Sequence, residues 1–204
     1  MKAALYSLIF SIQVIIYTSC GICSRRVDCA GFDDKELSAW FPYSDGEHLA
    51  FRNNLNEQHS FTLKNTFTTE PYQQTGGFSG PIRCSAEKVS QSLEKDTLGR
   101  STFVLTLQTS SDTKSAFMNI DQTQIYFNNL TDTGFLQVII TSRITRREKL
   151  MTLNTGSNSF TDVMVVTADT SAIKTQGIYK LYFSKNVGLI AYSEYPSLKT
   201  WTKQ

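Results

Sequence analysis

The chain is poor in charged residues, proline and histidine. Of its 204 residues, 19% are Asp, Glu, Lys or Arg, 4 are Pro and 2 are His. Its formal net charge of +2 is too small for the clustered basic surface that nucleic-acid-binding proteins carry. We therefore expect no nucleic-acid partner.

Motifs that support common chemistries are also missing. The chain has no Gly-x-Ser-x-Gly elbow, no glycine-rich phosphate-binding motif, and no Cys-x-x-Cys joined by a second Cys or His pair at zinc-ligand spacing. The nearest approach to an elbow, residues 77–80, has its second glycine one position too early. These absences predict no cofactor and no metal site, and they favour a non-enzymatic protein.

Aromatic and hydroxyl-bearing residues are plentiful. The chain has 13 Phe, 9 Tyr and 2 Trp, which require a buried core, and 22 Ser and 24 Thr. From Trp40 onward, short runs alternate between apolar and polar residues, and turn residues separate them. This pattern predicts an all-β, mainly antiparallel domain over residues 37–204, as a single open or closed barrel or a sandwich. The strand faces predict one core that contains Trp40, Phe51, Phe61, Leu105, Ile139, Leu181 and Leu189.

Two stretches lack this alternation. Residues 85–95 are the best candidate for one short helix. Residues 72–81, with three glycines, form the longest loop-like stretch, which we interpret as a surface connection rather than a mobile lid.

The two histidines lie among carboxylates, so a metal site on a hairpin needs to be considered. Leu49 and Phe61 share the inward face if a three-residue loop joins their strands. His48 and His59 then point to opposite faces, which argues against a shared metal. A cleft that brings either histidine to a carboxylate and a nucleophile would contradict a non-enzymatic function.

The N-terminus has the composition of an export signal. Lys2 supplies a positive charge, residues 3–17 are uncharged, and small polar residues precede Cys20. The apolar run is shorter than the ~20 residues of a transmembrane helix. It predicts a cleaved signal helix over residues 1–19 and a tether over residues 20–36. An ordinary secretory signal and a short membrane anchor are the alternatives.

The run that ends at Cys20 resembles a bacterial lipoprotein signal, which implies lipidation of Cys20 and a membrane partner through acyl chains. Because exported cysteines oxidise, we also expect a disulfide. We assign it to Cys29 and Cys84, since Cys23 lies in the leader beside the lipid.

The densest aromatic cluster contains Trp40, Phe41 and Tyr43. Exposed, these rings are candidates for ligand binding. Buried, they plug one end of a β-core, which we favour because large aromatic residues are mostly buried.

Residues 40–51 and 182–192 resemble the opening motif and closing hairpin of uncharacterised β-rich lipoproteins of the Bacteroidota. Arg25 and Arg26 stand where surface-exported members carry acidic residues, so the resemblance implies an outer-membrane anchor that faces the periplasm. The expected function is a non-enzymatic binding or interaction module, with an apolar small molecule or another envelope protein as partner. The alternative is a hydrolase of envelope polymers.

Overall fold

The structure is a computed structural model that describes residues 32–73, 82–92, 102–110, 113–131, 134–155, 158–171 and 176–204. One short helix and twelve strands account for most of these residues. No helix within these ranges is long and apolar enough to cross a membrane.

Twelve antiparallel strands follow one another around a closed barrel, and β1 pairs with β12 to complete it. The helix α1 spans Lys35–Trp40 and precedes the first strand. The strands are β1 (His48–Asn53), β2 (Gln58–Gln73), β3 (Ile82–Ser92), β4 (Phe103–Ser110), β5 (Thr113–Ile120), β6 (Thr123–Thr131), β7 (Gly134–Ile140), β8 (Arg143–Thr155), β9 (Asn158–Ala168), β10 (Gly177–Ser184), β11 (Gly188–Tyr195) and β12 (Thr200–Lys203). The all-β antiparallel prediction is confirmed.

The first hairpin shows how local chemistry sets the register. The Asn53 side chain accepts hydrogen bonds from the backbone N–H groups of Leu55 and Glu57, which closes the turn between β1 and β2. Leu49 then lies opposite Phe61, so both point inward. The same register leaves His48 exposed outside and buries His59 inside, as the alternation predicts.

Six of the seven predicted core residues are buried, and Ile139 is the exception. On β7, Phe135 and Val138 are buried while Leu136 between them is 56% exposed, so the inward face changes parity. Asn129, on the neighbouring strand β6, has a φ of 55°, which turns the backbone at this point. Val138 and Ile140 therefore face the core, and Ile139 lies half-buried outside it.

The helix predicted over residues 85–95 is wrong, because residues 82–92 form β3. Ser90 and Ser92 point into the barrel, where they lie opposite Leu105 of β4 and Leu63 of β2. Pairing on both sides outweighs a weak local helical preference.

Helix α1 closes one end of the barrel. The Asp34 side chain caps the helix by accepting hydrogen bonds from the N–H groups of Glu36 and Leu37. Lys114 of β5 pairs with Asp34 at 3.1 Å and with Glu36, which fastens the helix to the barrel wall. Lys35 and Glu36, placed in the tether by the sequence interpretation, thus belong to a packed helix.

Candidate functional site

The aromatic cluster predicted as a ligand site lies at the plugged end of the barrel. Trp40, Phe41 and Tyr43 are 6%, 1% and 2% exposed. The Phe41 ring contacts Phe127 and Phe183 at centroid distances of 5.3 and 5.7 Å. These contacts join strands β6 and β10, which are four strands apart around the wall, so the rings fill part of the interior.

Trp40, Phe41 and Tyr43 together form what we call the plug, and a hydrogen bond holds Tyr43 in it. Its hydroxyl oxygen accepts a hydrogen bond from the backbone N–H of Leu189 at 2.9 Å. Burial raises the pKa of Tyr43 well above its ordinary value. Two half-buried cations lie beside it: Lys88 donates to the Tyr43 carbonyl at 2.7 Å, and the Lys203 ammonium lies 5.9 Å from the ring centroid.

Of the residues predicted to carry covalent modifications, only Cys84 lies within the described ranges. Cys84 of β3 is disulfide-bonded. The other three cysteines, including the predicted lipidation site Cys20 and the predicted disulfide partner Cys29, lie outside the described residues. The signal over residues 1–19 lies outside them as well.

At the opposite end of the barrel, His59 is completely buried among aromatic rings. Its Nδ1 atom shares a hydrogen bond of 2.5 Å with the hydroxyl of Tyr192. Its Nε2 atom lies 3.6 Å from Asp121 Oδ1, in the turn between β5 and β6. Trp201 packs against the imidazole with a centroid distance of 5.3 Å, and its indole N–H has no hydrogen-bond partner among the described residues.

This group contains a histidine, a hydroxyl and a carboxylate, but it does not form a cleft. His59 and Tyr192 are 0% exposed, whereas the Asp121 side chain is 22% exposed and lines a small surface pocket of about 190 Å³. A polymer or other substrate in that pocket meets Asp121 but not the groups behind it. The imidazole of His59 is therefore not accessible to a substrate in that pocket.

An open groove runs along the outer face of the sheet formed by strands β2 to β6. Phe117 and Tyr126 are cross-strand partners on this face, with ring centroids 4.8 Å apart. Tyr126 is 41% exposed and Phe117 is half-buried. The rings lie in a depression of about 440 Å³, which adjoins a second depression of about 400 Å³.

The two depressions are continuous, because Glu87, Gln108 and Ser115 line both of them. We call the combined feature the outer groove. Gln108 donates a hydrogen bond from its amide to Glu87 at 2.8 Å, which holds both side chains in place. Most of the remaining lining consists of hydroxyl and amide side chains: Thr68, Ser85, Thr106, Thr109, Ser110, Thr113 and Asn128.

A third depression, of about 620 Å³, lies beside the plug, between the end of α1, the β8–β9 hairpin and the turn after β10. Trp40 and Met164 form its apolar part, and Arg147, Lys149 and Lys185 contribute cations. Lys149 is already paired with Asp162 at 3.0 Å. This is where Trp40, one of the predicted ligand-binding residues, comes nearest to the surface.

The sequence reasoning missed the outer groove. Phe117 belongs to an alternating strand whose inward residues are Ala116, Met118 and Ile120, so an aromatic residue at the polar parity was the available signal. That Tyr126 lies opposite Phe117 depends on the register of β5 with β6, which the sequence does not state.

Within the described ranges, no group of three or more His, Cys, Asp or Glu side chains is arranged to hold a metal ion. The chain matches no protein-family model, no curated protein and no solved structure.

Proposed function

We propose that the protein is a membrane-tethered, non-enzymatic binding module of the cell envelope that holds its ligand in the outer groove. The observation that carries this proposal is the exposed Phe117–Tyr126 pair in a groove lined by fixed polar side chains. Exposed aromatic side chains combine a large apolar contact surface with, in tyrosine, a polar group, and they are enriched where proteins bind partners.

The interior of the barrel does not favour an apolar ligand held inside it. The core cluster contains large side chains from the plug and from several strands, including Phe41, Phe127, Phe183, Tyr192 and Trp201. Phe127 and Phe183 are in direct ring contact across the interior at 5.3 Å. Because interiors packed in this way have little space larger than a water molecule, we place the ligand outside.

The tether is proposed from the sequence. A lipidated Cys20, with two or more acyl chains, would anchor the domain stably at the outer membrane on the periplasmic side. Mass spectrometry of the mature N-terminal peptide tests this, and we expect a diacylated, N-acylated Cys20 as the first residue. An unmodified Cys20, or a different first residue, would remove the lipoprotein assignment.

Site-specific photo-crosslinking in cells tests the binding site for a ligand of any chemical class. The full chain carries a photoreactive amino acid at Ser115, which lines both parts of the outer groove, or at Thr152, which is exposed on β8 outside it. We expect ligand adducts at position 115 and none at position 152. Equal labelling at both positions, or no adduct at position 115, would contradict the proposal.

One observation favours the alternative, a hydrolase of envelope polymers. Glu70 lies opposite Ser85, and Glu87 is two residues further along the same strand, so the two carboxylates are diagonal neighbours in the groove. Paired carboxylates carry out glycoside hydrolysis. Release of reducing ends from a bound polysaccharide, abolished by Glu87→Gln, would establish this alternative, whereas the binding module releases none.

A further inference from the structure

The lining of the outer groove points to one class of ligand, and we propose that it binds a chain of neutral sugars. This inference rests on the proposed function, because it names the ligand of the same groove. It is carried by three features: the aromatic pair, the fixed polar side chains and the sign of the charges.

The aromatic pair offers a surface suited to a sugar ring. A pyranose has a face of C–H groups and a rim of hydroxyls, and its C–H face packs against the flat face of an aromatic ring. Tyr126 is 41% exposed and is supported from the side by Phe117, its cross-strand partner. Both rings are held by the register of two adjacent strands, so the platform exists before the ligand arrives.

The polar side chains match the hydroxyl rim. Sugar hydroxyls both donate and accept hydrogen bonds, and the groove offers amides, hydroxyls and a carboxylate that together do the same. Gln108 and Glu87 are bonded to each other at 2.8 Å, which fixes the amide and the carboxylate side by side above the sheet. Asn128 lies two residues from Tyr126 on β6 and lines the same depression as the rings.

The charges of the groove disfavour an anionic ligand. Among the described residues that line it, Glu70 and Glu87 carry the only formal charges. Carboxylates repel phosphates, uronic acids and anionic lipid headgroups, because like charges at short range are unfavourable. A neutral glycan avoids this repulsion and still uses both carboxylates as hydrogen-bond acceptors.

The length of the groove favours a chain over a single sugar. It crosses from β2 to β6, which is four inter-strand spacings of about 4.8 Å each, or roughly 19 Å. Both depressions are open to solvent along this path, so a polymer can enter and leave at either end without being cut.

Affinity electrophoresis tests the inference. The lipidated chain, in a detergent without a sugar headgroup, is run in native gels that contain glycogen, galactomannan or mixed-linkage β-glucan, with alginate as the anionic comparison. We expect retardation by a neutral polysaccharide and none by alginate. We expect Tyr126→Ala and Gln108→Ala to weaken binding at least tenfold.

The matched control is Tyr179→Ala. Tyr179 also belongs to an aromatic pair, with Tyr195 on β11 at 6.4 Å, but it lies on the other side of the barrel outside the groove. Its loss is expected to leave binding unchanged. Retardation by none of the neutral polysaccharides, stronger binding to alginate, or full binding by Tyr126→Ala would each overturn the glycan assignment.

The crosslinked adduct at position 115 separates this inference from the proposed function. An adduct that periodate destroys supports a glycan in the groove. An adduct that only a protease destroys overturns the glycan assignment and leaves the groove as a protein-binding site. Absence of any adduct contradicts the proposed function itself.

Discussion

Single residues at the plug are held so closely that the addition of one carbon changes the packing. Gly188 has a φ of 81°, and a Cβ atom there would lie 2.8 Å from the Tyr43 hydroxyl. Gly46 has a similar φ of 76°, but nothing lies within 4 Å of its Cβ position. The two glycines therefore separate backbone strain from steric overlap.

We expect Gly188→Ala to destabilise the fold more than Gly46→Ala. Both substitutions place a non-glycine residue at positive φ, at a cost of about 1–2 kcal/mol. Gly188→Ala also pushes the buried Tyr43 ring, which adds about 1–3 kcal/mol. Urea denaturation measures the difference, and equal losses in the two variants would show that the Tyr43 contact is not tight.

The raised pKa of the Tyr43 hydroxyl predicts a loss of folding stability at alkaline pH. In the unfolded chain it ionises near pH 10, whereas burial raises its pKa in the folded chain. Above pH 10 the folded state therefore binds more protons, and this group lowers the free energy of unfolding by up to about 1.4 kcal/mol per pH unit. Burial lowers the pKa of Lys88 and Lys203 despite Glu47 nearby, which acts in the opposite direction.

Comparison with Tyr43→Phe isolates the hydroxyl, because the two lysines are present in both proteins. At pH 8 the variant is expected to be less stable by about 1–3 kcal/mol, since the N–H of Leu189 loses its acceptor. Between pH 10 and pH 11.5 the gap should narrow by at least about 1 kcal/mol. A gap that stays constant in urea denaturation across this range would contradict the raised pKa of Tyr43 in the folded chain.

Among the elements, β7 shows where strand alternation is interrupted. Ile140 is fully buried and its neighbour Ile139 is half-buried on the outer face. We expect Ile140→Ala to cost about 2–5 kcal/mol of unfolding free energy, and Ile139→Ala less than half of that. Urea denaturation of the two variants, which remove the same atoms from adjacent positions, measures which face is inside. A larger loss for Ile139→Ala would reverse the assignment.

Alternation along single strands explains how much of the fold the sequence predicts. Leu49, Phe51 and Phe61 are placed correctly because period two and a short loop are local properties. Ile139 is misplaced because its strand departs from strict alternation: Leu136 and Gln137 are both exposed, so the inward face changes parity before Val138. The outer groove was missed because its residues become neighbours only when five strands adopt their mutual register.

At the scale of the whole molecule, closure of the barrel depends on contacts between its first and last strands. Strand β1 pairs with β12 through three residue pairs, among them Phe51 with Lys203. Apolar and polar residues alternate in the same way in an open sheet and in a closed one, so the sequence alone does not distinguish between these architectures. Closure leaves two ends to be covered, and α1 with the residues after it covers one of them.

Trp40, the last residue of α1, separates the interior of the barrel from the surface at the covered end, and its substitution tests this role. Its ring packs 6.1 Å from Phe135 and also lines the depression that contains Met164 and Lys185. We expect Trp40→Ala to cost about 3–5 kcal/mol, and to leave a cavity that opens towards this depression. Such a cavity should take up an apolar fluorescent probe at one molecule per barrel, whereas the wild-type protein takes up none.

Trp40→Phe is the matched control, because it keeps an aromatic ring between the core and the depression and is expected to exclude the probe. Probe fluorescence at a denaturant concentration where each variant remains folded, checked by circular dichroism, separates an open cavity from an unfolded chain. Stoichiometric uptake by the wild-type protein would show that the interior is accessible despite the plug. This result would support the interior of the barrel as a site for apolar ligands and would argue against the outer groove as the binding site.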